Sequence, residues 1–243
     1  MPCSDYISAP YVSRIVGSLM PRSALDIGIG MGKFGFILRE VCDWCHVLRD
    51  GVQRVSKEKW QSRLDGIEVC SGYITPLQEY LYDKIYIGPA QEIACKLGNY
   101  DLIFLGDVIE HFEKNEGQQL LDILFEKANL GVLIITPVGE YEQNGIEGNP
   151  YEKHRSAWSY EDLRRFPYVW ARKVAKRQWI IFISREPYGF PNPYKRRLSK
   201  SRRLRSEQQR EKIKQILRKI FGKSGLEFLI KTKRVFEGWK RNS

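Results

Sequence analysis

The chain has 243 residues, 42% of them hydrophobic and 12% aromatic, enough apolar material for one large domain and too much for a disordered chain. Its formal net charge of +11 is an uneven average: residues 195–243 hold 18 Lys and Arg against 4 Asp and Glu, a net of +14, while the other 194 residues hold 22 against 25, a net of −3. This excludes a uniformly basic nucleic-acid-binding fold and describes a slightly acidic domain, residues 1–194, carrying a basic tail, residues 195–243.

In chain order, Tyr11–Met20 has apolar residues at helical spacing and stops at Pro21. Ala24–Ile27 is a short apolar run ending in glycines, which predicts a buried strand. Lys33–Val41 reads as a helix, and Asp43–Arg63 as a polar surface excursion. Leu64–Val69 is a second strand, Tyr73–Tyr80 a helix, Lys84–Ile87 a third strand and Gln91–Lys96 a short helix. Asp101–Leu105 is a very apolar fourth strand, Lys114–Asn129 a helix and Gly131–Thr136 a fifth strand. Strands that are nearly continuous in apolar residues and alternate with helices predict a parallel sheet covered on both faces. Val138–Asn149 is a loop. Ser159–Arg165 is a short helix capped by Ser159 with Asp162 in the capping-box position. Tyr168–Val174 and Gln178–Ser184 form a hairpin at the sheet edge. The expected fold is α/β: a Rossmann-like, doubly wound, seven-stranded, mostly parallel sheet with an antiparallel edge hairpin. In the tail, Glu207–Phe221 has apolar residues at amphipathic helical spacing.

The five cysteines, an odd number with no basic-then-apolar leader at Met1–Pro10, point to reduced thiols and a cytoplasmic protein. No apolar run approaches the ~20 residues that cross a bilayer. Cys42-Asp43-Trp44-Cys45-His46 matches the C-x-x-C-H spacing of haem attachment, but that chemistry needs an exported domain. No second Cys/His pair completes a zinc set either, so a helix end with a buried thiol is expected there.

Asp26-Ile27-Gly28-Ile29-Gly30-Met31-Gly32 lies where the first strand becomes a helix, and glycines there let the backbone turn sharply against a ligand. The spacing is G-x-G-x-G, one residue short of the dinucleotide pattern. An acid at Asp26 would repel a pyrophosphate and suits a cationic ligand. Together with Leu25, this run resembles the first motif of the class I S-adenosylmethionine-dependent methyltransferases. The resemblance covers about residues 11–185. It implies that Asp26, Gly28, Gly30 and Gly32 surround the cofactor and that Glu68, at the end of the second strand, accepts hydrogen bonds from the ribose. It places Ala90 and Gln91 at the adenine edge, where the usual acid is absent, and Asp107 near the methionine end. Gly106-Asp107-Val108-Ile109-Glu110-His111-Phe112 resembles the D-V-x-E-H motif of the subgroup with the ubiquinone-biosynthesis O-methyltransferases.

Methyl transfer needs an oriented acceptor and, for a hydroxyl, a base that works near pH 7. His111 and Asp107 should border the methyl. His154 lies in Asn149–Trp158, the segment that in the family often forms the acceptor wall, and Tyr151 and Trp158 would hold it to the domain. Catalytic candidates are therefore His111, His154 and Asp107. Some ubiquinone-pathway relatives hold a divalent cation with an acid-x-x-Glu-His set, which Asp107, Glu110 and His111 match, but the sequence itself assigns no metal ligand. Asn149-Pro150-Tyr151 falls after the fifth strand rather than the fourth, which argues against a nucleobase-amine methyltransferase. The expected activity is S-adenosylmethionine-dependent O-methylation of a small molecule or a sugar hydroxyl. The alternatives are an RNA or protein methyltransferase recruited by the tail, and a non-catalytic cofactor-binding module. Residues 195–243 could pack their apolar stripe on the domain or on a second subunit with the basic face solvated, meet an anionic membrane surface, making the protein membrane-peripheral, or bind nucleic acid.

Overall fold

The structure is a computed structural model and describes residues 5–44, 56–140, 142–145 and 149–193. The tail, Cys45 and His46 therefore lie outside the described residues. Among those described, no helix is long and apolar enough to cross a membrane.

Seven strands form one sheet: β1 (Ser23–Ile27), β2 (Arg63–Glu68), β3 (Lys84–Ile87), β4 (Tyr100–Gly106), β5 (Ala128–Pro137), β6 (Tyr168–Val174) and β7 (Gln178–Ser184). Their order is β3-β2-β1-β4-β5-β7-β6. The first five are parallel, and β7 runs antiparallel to both β5 and β6. The hairpin strands have the predicted bounds. β5 is longer than its apolar run, because Ala128 already pairs with Tyr100 ahead of a register shift.

Helices α1 (Ala9–Leu19), α2 (Lys33–Arg39) and α3 (Pro76–Leu81) cover one face, with Val12, Ile15, Phe34, Leu38 and Leu81 packed on Leu102, Phe104, Leu133 and Phe182. Helices α4 (Ala90–Ala94), α5 (Lys114–Lys127) and α6 (Tyr160–Leu163) cover the other, with Ala94, Leu120, Leu124 and Leu163 on Ile103, Leu105, Ile134 and Ile181. Alternate residues of each central strand thus enter different cores, the two-sided burial that a continuous apolar run predicts.

Two further departures from the sequence expectation have a local cause. The helix expected from Tyr73 starts at Pro76, because Thr75 forms a capping box with Gln78 and Pro76 occupies the first turn; Ser71–Tyr73 make a 3-10 turn instead. The excursion after α2 is not wholly superficial. One turn of wider π-type helix, Glu40–Trp44, continues α2 and buries Asp43 completely. Arg39, 1% exposed, bonds Asp43 at 2.8 Å, the carbonyls of Ser62 and Leu81, and Asp83, and stacks on Trp60. This one guanidinium clips both ends of the excursion to α3. Removing a partner of such a buried pair costs about 3–5 kcal/mol.

Candidate active site

The chain order reverses between β1 and β4, so a crevice opens at their C-terminal ends, where ligands bind in open α/β sheets. The glycine turn leaves β1 here. Gly28, Gly30 and Gly32 have φ of 71°, 46° and 79°, a region that side-chain-bearing residues avoid. A Cβ on Gly28 would lie 2.5 Å from Val108 Cγ2, whereas one on Gly30 would meet nothing within 4 Å. Gly28 therefore lets the turns after β1 and β4 touch, and Gly30 faces open space.

Glu68 closes β2 and is 4% exposed. Its Oε2 accepts the Gly30 N–H at 2.9 Å and its Oε1 accepts the Cys70 N–H at 2.9 Å. The Val69 N–H is a third backbone donor, and because a carboxylate has about four acceptor sites, one remains for a further donor. Burial pushes the Glu68 carboxyl up, and the backbone N–H groups pull it down.

Asp26 is buried near the end of β1, next to the glycine turn. It is 2% exposed and accepts the Tyr82 hydroxyl at 2.6 Å. Burial pushes its carboxyl up to about 7, against the pull of the Tyr82 bond. Tyr82 reaches it because Gly35 has no side chain; a Cβ there would run into the phenol. Ala90 and Gln91 open α4 just past Gly88 and Pro89, with Ala90 buried and Gln91 half-buried.

Beyond β4, Asp107 has φ 55°, and its N–H donates to Ile135 O at 3.0 Å. Its carboxylate accepts Gln178 Nε2 at 3.1 and 3.3 Å. Gln178 is the first residue of β7, which reaches this end of the sheet because it runs antiparallel. A 3-10 turn, Ile109–His111, follows. Glu110 is 2% exposed: its Oε2 accepts the Thr136 hydroxyl at 3.1 Å, while its Oε1 is buried without a hydrogen-bond partner among the described residues. Burial and the nearby Asp107 push its carboxyl well up.

The segment after β5 is sewn onto this turn. Arg155 and Ser156 N–H groups donate to Glu110 O at 2.8 and 3.1 Å, and Trp158 Nε1 donates to Ile109 O at 3.1 Å. Trp158 is the aromatic anchor, 2% exposed; Tyr151, expected to share that task, is 54% exposed. The segment lays His154 against His111, ring centroids 4.9 Å apart at 66°. His111 Nδ1 sits 3.2 Å from Lys153 O. Burial, with His154 close by, pushes the His111 imidazole down, so it is neutral at pH 7. Glu110, His111 and His154 each offer a ligand atom, all within 4.8 Å of one another.

The structure thus gathers the expected residues into two groups at one end of the sheet. Asp26, the glycines and Glu68 lie at β1 and β2, while Asp107, Glu110, His111 and His154 lie at β4. Sequence reasoning missed Gln178, Thr136 and Tyr82. Gln178 left one trace, as the polar residue opening an apolar strand; Tyr82 left none.

No protein-family model matches the chain, and no curated protein matches it in sequence. Solved structures do. A protein from Nostoc punctiforme assigned as an O-methyltransferase superposes with a TM-score of 0.51 at 14% identity, over 72% of this chain and 55% of that one. The N-terminal domain of EvdMO1, crystallised in the presence of SAH and D-fucose, gives 0.50 at 13% identity, over 74% of this chain and 84% of that one. The chain has the Rossmann-like methyltransferase fold, seven strands with an antiparallel edge hairpin.

Proposed function

We propose that the chain is an S-adenosylmethionine-dependent methyltransferase that acts on a hydroxyl of a small molecule or sugar. One observation carries this reading. At the switch point of the sheet, a glycine turn open at Gly30 with Glu68 behind it adjoins a pair of imidazoles, His111 and His154.

The residues fit the cofactor. Gly30 leaves space where its backbone faces the crevice, and Glu68 retains acceptor capacity for a ribose hydroxyl. When bound, S-adenosylmethionine supplies an electrophilic methyl on a sulfonium. The chain's own task is then to orient an acceptor and take its proton. His111 stays neutral at pH 7 and can accept the proton of a hydroxyl. His154, held by the segment that covers the Glu110 turn, orients that hydroxyl. Asp107, fixed by Gln178, would complement the cationic end of the bound cofactor.

A divalent cation, which the acid-x-x-Glu-His resemblance implies, fits as the alternative arrangement, in which the His111 imidazole would be a ligand and not the base. The orphaned Glu110 oxygen and the two imidazoles would hold it, with Asp107 beside them. Bound there, the ion would lower the pKa of an acceptor hydroxyl.

Titration calorimetry with S-adenosylmethionine and S-adenosylhomocysteine, with NAD as control, tests the reading. Micromolar binding of the sulfur nucleosides, lost in Glu68→Ala, is expected. No binding, or a preference for NAD, would overturn it.

A further inference from the structure

The segment carrying His154 is tied to the cofactor half as well as to the turn after β4. Tyr73 ends the 3-10 turn just after Glu68. Its hydroxyl accepts Asn149 Nδ2 at 2.9 Å and donates to Glu152 Oε1 at 3.1 Å. The polarity of this bridge is fixed. Asn149 Oδ1 caps the next turn by accepting the Tyr151 N–H at 3.0 Å, so its amide nitrogen is what remains for Tyr73. The phenol's single proton is then left for Glu152. Glu152 is 7% exposed, although its neighbours Tyr151 and Lys153 are exposed. A carboxylate turned inward from a loop needs a donor to offset its lost hydration, and Tyr73 is that donor.

Both ends of the bridge continue by direct hydrogen bonds. On the cofactor side, Gln78, fully buried, donates from Nε2 to Tyr73 O at 2.8 Å and to Gly30 O at 2.7 Å. On the acceptor side, Gln143 Nε2 donates to Glu152 O at 2.8 Å, and His154 N–H donates to Gln143 O at 3.0 Å. Gly30, at the open point of the glycine turn, and His154 are thus joined without a break through residues 76 to 79 positions apart at the crossing.

We propose that Tyr73 is a positioning residue whose bridge to Asn149 and Glu152 sets the segment carrying His154 against the cofactor crevice, so that filling the crevice orders the acceptor side. This rests on the methyl-transfer reading above. Contiguity does not by itself establish coupling, so the test is a measured linkage. Hydrogen–deuterium exchange of residues 149–158 is followed with and without saturating S-adenosylhomocysteine, alongside its affinity by calorimetry. In the unaltered protein the nucleoside slows exchange in this segment about fivefold or more. Tyr73→Phe keeps the ring and loses the bridge: affinity stays within about threefold, and most of the added protection disappears. Glu152→Gln keeps a carbonyl acceptor for Tyr73 and retains the protection, while Glu152→Ala does not. Equal protection in Tyr73→Phe would overturn the proposal. So would bound nucleoside that leaves 149–158 unprotected in the unaltered protein. Abolished binding in Tyr73→Phe would overturn it too, since Tyr73 would then belong to the pocket itself. Failure of the unaltered protein to bind the nucleoside would instead remove the methyltransferase reading, and this inference with it.

Discussion

On the β1–β2 side of the crevice the site is made mostly of backbone. Three glycines in left-handed conformation shape the turn, and one carboxylate, Glu68, gathers the backbone amides of Gly30 and Cys70. On the β4–β5 side it is made of side chains from distant parts of the chain. Asp107 meets Gln178 across 71 positions, and the carboxylate of Glu110 meets Thr136 across 26. Backbone sites depend on conformation and tolerate little added volume. Side-chain sites depend on partners and fail one contact at a time. The first side is expected to break at glycines, the second to weaken by degrees.

The largest effect is expected at Gly28. Gly28→Ala adds a Cβ 2.5 Å from Val108 in a left-handed residue. Left-handed strain of about 1–2 kcal/mol and overpacking of about 1–3 kcal/mol should appear in chemical denaturation. Adding Val108→Ala should recover the packing part alone. A neutral Gly28→Ala would show that the turn is not held as described.

Asp26 sharpens the contrast by pH. Its native carboxyl, pushed up to about 7, holds a proton that an unfolded chain releases near 4. Its contribution to stability is therefore full below about pH 4 and is lost as pH rises to about 7, at a slope approaching 1.4 kcal/mol per pH unit. Asp26→Asn should flatten the fall in denaturation midpoint between pH 4 and 7. Parallel curves would mean that Asp26 is ionised in the native protein.

On the side-chain half, His154→Ala should lower Mn²⁺ affinity about tenfold or more, read by electron paramagnetic resonance, and leave S-adenosylhomocysteine affinity in metal-free buffer unchanged. Equal Mn²⁺ binding would remove His154 from the cation set. The smallest effect is expected for Gln178→Leu. It loses a bond to a charged group but also removes a buried oxygen with no hydrogen-bond partner among the described residues, so stability should shift by only about 1 kcal/mol. A much larger loss would mean that the Asp107 contact has no offset.

The same division explains what the sequence disclosed. Asp26-Ile27-Gly28-Ile29-Gly30-Met31-Gly32 is a local run, and local backbone conformation is what glycine spacing encodes. The hairpin was legible because Tyr168–Val174 and Gln178–Ser184 are two β-rich runs separated by a short turn. From the sequence Asp43 reads as a surface residue, because nothing in its neighbourhood announces that Arg39, one helical turn back, is buried and needs a partner. His111 and His154 were each singled out, but only the folded segment 149–158 shows that they touch. The burial of Asp26 next to the turn could not be read at all, since it depends on Tyr82, 56 residues away, and on the missing side chain of Gly35.

The reversed direction of β7 has a consequence for insertions and deletions. Residues offered by the loops after β1, β4 and β5 can shift as those loops change length. Gln178 sits in a ladder instead, opposite Pro137 on one side and Val174 on the other. The turn before it is only Ala175–Arg177, with Ala175 and Lys176 both left-handed at φ 47° and 60°. Because side chains alternate along a strand, a slip of one residue would turn Gln178 away from Asp107 and bring a neighbour such as the indole of Trp179 to its place. Tolerance to changes in length at this end of the sheet is thus set by how far the change lies from a strand pairing, and not by its distance from the crevice.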